Sequence, residues 1–154
     1  MKRIICLLVV FVWLLCISSK CSKEDGHSKI NVINNSSATL FVSHAYDTLI
    51  PSMVASYNSN KNSFAVNPYE SKQIHVASRH GIIETDGRIN PYLYLFVVDM
   101  QVLETYSFNT IKNDYMILQR YDVTVSDLQR LDWQITYPPN EKMKDIKMYP
   151  PYGQ

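Results

Sequence analysis

The chain has 154 residues, 46% of them apolar and 19% charged, with 15 basic and 14 acidic side chains and a formal net charge of +1. That size supports one core and one domain. The charge balance contains no basic block, which excludes an electrostatic nucleic-acid face, and four scattered glycines (Gly26, Gly81, Gly87 and Gly153) exclude a Gly-rich phosphate loop.

Lys2 and Arg3 precede an apolar run from Ile4 to Ile17, and the segment closes on Ser18-Ser19-Lys20-Cys21-Ser22-Lys23-Glu24-Asp25. Two cations hold the start of the chain on the cytoplasmic side while the apolar run enters the translocation machinery. At about 1.5 Å per residue that run makes roughly 21 Å of helix, short of the ~30 Å hydrocarbon core, so residues 1–20 read as a cleaved signal rather than a span. The small Ser18 and Ser19 place Cys21 as the lipidated first residue of the mature chain, although Lys20 beside it departs from the usual small residue. Ordinary signal-peptidase cleavage after Ser18 or Ser19 is the alternative. Residues 21–28 are a polar tether.

Cys6 and Cys16 leave with the signal, and acylation consumes Cys21. The mature chain then has no disulfide, no metal-thiolate site and no cysteine nucleophile, so the domain must hold together by its core alone. Loss of Lys2, Arg3 and Lys20 leaves 12 basic against 14 acidic side chains.

A globular β-rich domain is expected over 29–138, followed by a Pro/Tyr-containing tail over 139–154. Lys29 to Ile33 and Thr39 to Ser43 flank the turn residues Asn34-Asn35-Ser36-Ser37, which predicts a β-hairpin with Ile30 and Val32 on one face and Leu40 and Val42 on another. Residues 47–68 show no apolar period and contain Pro51 and Pro68, predicting a long surface connection with at most one irregular strand. Lys72 to Ala77 alternates Ile74 and Val76 inward with Gln73 and His75 outward. Gly81 and Asp86-Gly87 mark turns around Ile82-Ile83.

Tyr92 to Val98 is continuously aromatic and branched, the pattern of a central strand covered on both faces. Helical spacing of Val102, Leu103, Tyr106 and Ile111 predicts a helix from Asp99 to about Asn113, broken into two pieces at Ser107. Strands follow over Tyr115 to Val125 and Trp133 to Tyr137. Between them Ser126-Asp127-Leu128-Gln129 reads as a capping box opening a helix over Ser126 to Leu131. The order gives an α+β fold, a mainly antiparallel or mixed sheet with two or three short helices packed on it, with a β-sandwich as the alternative.

Chemistry-bearing residues form no strong constellation. The spacing from His75 to His80, with Glu84 and Asp86 nearby, matches neither the i, i+4 helical pair nor the i, i+2 strand pair that aims two imidazoles at one ion. His44 reads as an edge-strand residue. Asp99 at a strand end is a candidate carboxylate and equally the N-cap of the next helix. Ser107 and Ser126 are caps, because no G-x-S-x-G surrounds either. Eleven tyrosines and the repeated Tyr137-Pro138-Pro139 and Tyr149-Pro150-Pro151-Tyr152 theme make Tyr57, Tyr149 and Tyr152 candidate binding residues. The alternative for the theme is that the prolines end the last strand and the tail folds back over the sheet. No metal site and no cofactor is expected.

Cys21-Ser22-Lys23-Glu24-Asp25 resembles the export signal of Bacteroidota-type surface lipoproteins, in which a lysine and acids after the lipidated cysteine send the protein to the outer face of the outer membrane. The stretch Arg120-Tyr121-Asp122-Val123-Thr124-Val125-Ser126-Asp127-Leu128-Gln129-Arg130-Leu131-Asp132-Trp133-Gln134-Ile135-Thr136-Tyr137-Pro138 is similar to the C-terminal signature of small lipoproteins of that kind, a group of unassigned function. The likeness covers roughly 30–138 and implies a shared fold and export, with no catalytic residue to carry over. The expected function is that of a lipid-anchored cell-envelope module, non-enzymatic, contacting an extracellular glycan or protein partner and no nucleic acid. Its rivals are a small secreted hydrolase using Asp99 or the His75 to Asp86 cluster, and a structural component of a surface assembly.

Overall fold

The computed structural model describes residues 29–76 and 91–154. The signal, Cys21, Ser22, Lys23, Glu24 and Asp25 lie outside the described residues, as do His80, Glu84, Asp86 and the turns expected around Ile82-Ile83.

Among the described residues there are eight strands and four short α-helices in two sheets. The strands are β1 (Lys29–Asn34), β2 (Leu40–Ala45), β3 (Ala65–Val66), β4 (Ser71–His75), β5 (Leu93–Asp99), β6 (Gln119–Val123), β7 (Gln134–Tyr137) and β8 (Lys147–Tyr149). The helices are α1 (Tyr57–Phe64), α2 (Met100–Thr105), α3 (Phe108–Asn113) and α4 (Val125–Arg130). A small sheet runs β4-β1-β7, with β1 antiparallel to β4 and parallel to β7. A larger, wholly antiparallel sheet runs β3-β2-β5-β6-β8.

The two sheets face each other across the main core. Ile30, Val32, Ile74 and Ile135 from the small sheet meet Leu40, Val42, Leu95, Val97, Tyr121 and Val123 from the large one. Strand β5 alternates without a break: Leu93, Leu95 and Val97 enter this core, whereas Tyr94, Phe96 and Val98 enter a second cluster on the opposite face. There Met100, Leu103 and Ile111 of α2 and α3, with Ile50 and Val54, form a third layer. The α+β expectation therefore holds, and the sandwich alternative is present within it as the pairing of the two sheets. Side-chain hydrogen bonds tie the sheets directly: the Tyr121 hydroxyl donates to the Thr136 carbonyl at 2.9 Å, and the Lys72 ammonium of β4 donates to the Ala65 carbonyl of β3 at 2.9 Å. Burial pushes that phenol well above its ordinary pKa, with a smaller contribution from Tyr137.

The predicted hairpin is corrected. β1 and β2 do not pair; they lie in different sheets and present their apolar faces to each other. Asn34, fully buried, is the reason. Its Nδ2 donates to the carbonyls of Ala38 (2.8 Å), Val66 (3.1 Å) and Asn67 (3.0 Å), and its Oδ1 accepts from the Ser36 amide (2.9 Å) and hydroxyl (2.7 Å). The side chain closes an Asx turn and satisfies the carbonyls of β3's end, so the chain crosses between layers instead of turning back.

The 47–68 connection is also corrected, because it contains α1 as well as the short strand β3. None of α1's residues is fully buried, which is why no apolar period announces it. It holds through Tyr57 and Phe64 packed on the second cluster, the Asn60 amide donating to Ser56, and a Lys61–Glu104 pair at 3.0 Å. The exposed pair contributes little.

The break at Ser107 is as expected. The Asp99 carboxylate caps α2 by accepting from the Gln101 amide at 2.8 Å, and the Ser107 hydroxyl caps α3 by accepting from Thr110 at 3.2 Å. The capping box at 126–129 is corrected to Thr124 and Asp127: the Asp127 carboxylate accepts from the Thr124 amide (3.0 Å) while the Thr124 hydroxyl accepts from the Asp127 amide (3.2 Å). An ionised acceptor at the helix N-terminus outcompetes Gln129 for that role. The segment 139–154 does fold back, and it builds part of the fold. A 3-10 turn over Glu141–Met143 leads into β8 on the edge of the large sheet, with Met143, Ile146 and Met148 in the main core.

Candidate functional site

The pairings β5–β6 and β6–β8 place Tyr94 opposite Asp122 and Asp122 opposite Lys147 in one row, and Phe96 opposite Arg120 and Arg120 opposite Tyr149 in the next. Because Tyr121 and Val123 enter the main core, Arg120 and Asp122 share the opposite face of β6. The sequence thus brings a carboxylate and two cations to the β6–β8 side of the large sheet's outer face, in the rows that contain Tyr94 and Phe96.

Asp122 is the centre. Its side chain is fully buried, and Arg120 donates to it from Nε at 2.7 Å and from Nη2 at 3.3 Å, while the Lys147 ammonium lies 3.4 Å away. A buried carboxylate without such partners is strongly disfavoured, and two cations from adjacent strands compensate it. Burial opposes the charge on Arg120, but the hydrogen bond and charge of Asp122 outweigh it and hold the guanidinium's pKa above its ordinary value.

Tyrosines wall this ion cluster. The Arg120 guanidinium lies 5.7 Å from the Tyr94 ring centroid, and the Lys147 ammonium 5.1 Å from that of Tyr92. Arg120 Nη1 donates to the Tyr115 hydroxyl at 2.6 Å. Tyr115, held at φ 50° in the connection after α3, meets the Tyr149 ring edge-on at 5.5 Å, and its hydroxyl donates to the Thr48 carbonyl at 3.4 Å. Tyr149 is half exposed, so an aromatic ring borders the charged floor of the site.

Of the three candidate tyrosines, only Tyr149 belongs to this site. Tyr57 is half-buried at the start of α1 and packs on the second cluster, and the Tyr152 hydroxyl donates to Glu141. Nothing in the linear pattern of Tyr92, Tyr94, Tyr115, Arg120, Asp122 and Lys147 marks them as one site. The alternation Arg120-Tyr121-Asp122 carried part of the signal, since it places opposite charges on one face of a strand.

One Asp99 carboxylate oxygen and the Ser107 hydroxyl serve as helix caps. Ser126 stands in the first turn of α4, not at its cap. His75 is exposed on β4. His44 lies in β2, which pairs with β5 along its length and with β3 only at Leu40 and Phe41, so its expected edge character applies to one side of the strand among the described residues. Burial lowers the His44 pKa, and its buried Nδ1 has no hydrogen-bond partner among the described residues. Among the described residues no group of three or more His, Cys, Asp or Glu is placed to hold a metal ion, and no helix is long and apolar enough to cross a membrane. No family model, no curated protein and no solved structure matches this chain.

Proposed function

We propose that this chain is an exported cell-envelope protein, anchored through an acylated Cys21 and presented on the outer face of the outer membrane. There it acts as a non-enzymatic binding or accessory module and contacts an extracellular glycan or protein. The observation that carries the reading is the N-terminal pattern of two cations, a short apolar run, small serines and Cys21-Ser22-Lys23-Glu24-Asp25. The resemblance of residues 120–138 to small Bacteroidota-type surface lipoproteins supports the same address. A binding role draws support from the use of Asp99 and Ser107 as caps, and from the charged, tyrosine-walled β6–β8 side of the large sheet.

Intact and tryptic mass spectrometry of the membrane fraction, with a Cys21→Ala control, tests the anchor. An N-terminal peptide beginning at Cys21 with added acyl mass, absent from the control, is the expected result. A free N-terminus at Ser19 or Lys20 contradicts the anchor and returns a soluble secreted protein to consideration.

A further inference from the structure

We propose that the site formed by Arg120, Lys147, Tyr115 and Tyr149 binds a carboxylate-bearing sugar residue of a glycan. The inference rests on the binding-module reading and names its ligand class. The first argument is charge. Among the described residues two cations face the single carboxylate of Asp122, which leaves these three groups one positive charge in excess. Arg120 commits three of its five N–H donors, two to Asp122 and one to Tyr115. The Lys147 side chain is 63% exposed.

The second argument is order. Asp122 fixes both cations from beneath and tyrosine rings flank each, so a carboxylate arriving at the exposed Lys147, with the 16% exposed Arg120 behind it, meets donors already in place and the entropic cost of arranging them falls. The third is shape. Tyr149 is 50% exposed and stands opposite Arg120 in the β6–β8 register, a flat apolar surface beside the charge. A pyranose ring with one carboxylate matches that pairing, its C–H face on the tyrosine and its charge on the cations. An acidic peptide, with a charge at successive residues, requires a row of excess cations. Among the described residues Arg120 and Lys147 are the cations held against Asp122.

Titration calorimetry of the full chain in detergent tests this, with tetragalacturonate, its fully methyl-esterified form, 3′-sialyllactose and hexaglutamate as probes. Lys147→Gln and Tyr149→Ala serve as variants, each checked by circular dichroism to be folded at the assay temperature. The expected result is binding of at least one acidic sugar, at least tenfold weaker with the ester when tetragalacturonate is bound, and at least fivefold weaker with each variant. Failure of the wild type to bind either acidic sugar, binding that neither variant alters, or equally tight binding of hexaglutamate overturns the proposal. Acylation of Cys21 is read separately by mass. An acylated protein that binds neither sugar refutes this inference alone, and sugar binding by an unacylated protein refutes the anchor alone.

Discussion

Asn34→Ala tests the device that sends β1 and β2 into different sheets. The side chain is fully buried and makes five contacts, three from Nδ2 to carbonyls and two to Oδ1. Since an amide has two N–H groups, the three carbonyls share two protons, which leaves about four full hydrogen bonds at roughly 1 kcal/mol each. Alanine removes all of them and strands the Val66 carbonyl in the core, so a loss of about 3–4 kcal/mol is expected, a large part of the 5–15 kcal/mol typical of a domain. At about 4 °C per kcal/mol for this size, the unfolding midpoint falls by roughly 12–16 °C. Asn35→Ala is the control. That neighbouring side chain is exposed, and its removal stays within about 0.5 kcal/mol. Urea unfolding followed by far-ultraviolet circular dichroism reads both. Equal effects of the two substitutions, or a loss below about 1 kcal/mol for Asn34→Ala, would refute the reasoning.

Three further outcomes follow from buried polar groups. Asp122→Ala leaves the Arg120 guanidinium, whose side chain is 16% exposed, without its carboxylate, and costs about 3–5 kcal/mol; adding Arg120→Met recovers most of that, so strictly additive single and double mutants in thermal unfolding would contradict the ion-cluster account. Ser43 Oγ is buried without a partner among the described residues, so Ser43→Ala stabilises by about 1 kcal/mol and raises the midpoint by roughly 4 °C, and a lower midpoint would count against it. For His44, burial lowers the folded-state pKa below the ordinary 6.5, so the unfolded chain takes up the proton first and stability falls as pH drops through and below 6.5. His44→Gln flattens the decline in unfolding midpoint between pH 7.5 and 5.5, and an unchanged slope would show that His44 does not drive it.

What was legible in the sequence depended on whether a residue's role was local. β5 reads directly because both of its faces are buried, and Asp99 and Ser107 read as caps because a cap is settled within three residues. The hairpin failed because Asn34 looks like any turn residue until Val66 and Asn67 are brought to it from more than 30 positions away. Helix α1 was hidden because its stability comes from packing at its two ends and not from an apolar stripe. Thr124 and Ser126 each begin a cap-like spacing, and the choice fell to the partner with the charge. The site depends on the β5–β6–β8 register. Tyr115, Arg120 and Tyr149 are separated along the chain, and no period within one strand brings them together.

The central claim, a lipid-anchored domain displaying its charged tyrosine face outside the cell, is tested most directly by labelling intact cells with a membrane-impermeant amine reagent and mapping the modified lysines by mass. The account predicts that exposed Lys147 and the N-terminal segment carrying acylated Cys21 are recovered from the same membrane-held molecules, with Lys147 labelled before lysis. Labelling of Lys147 only after the cells are opened, or only on protein released into the medium, would contradict it.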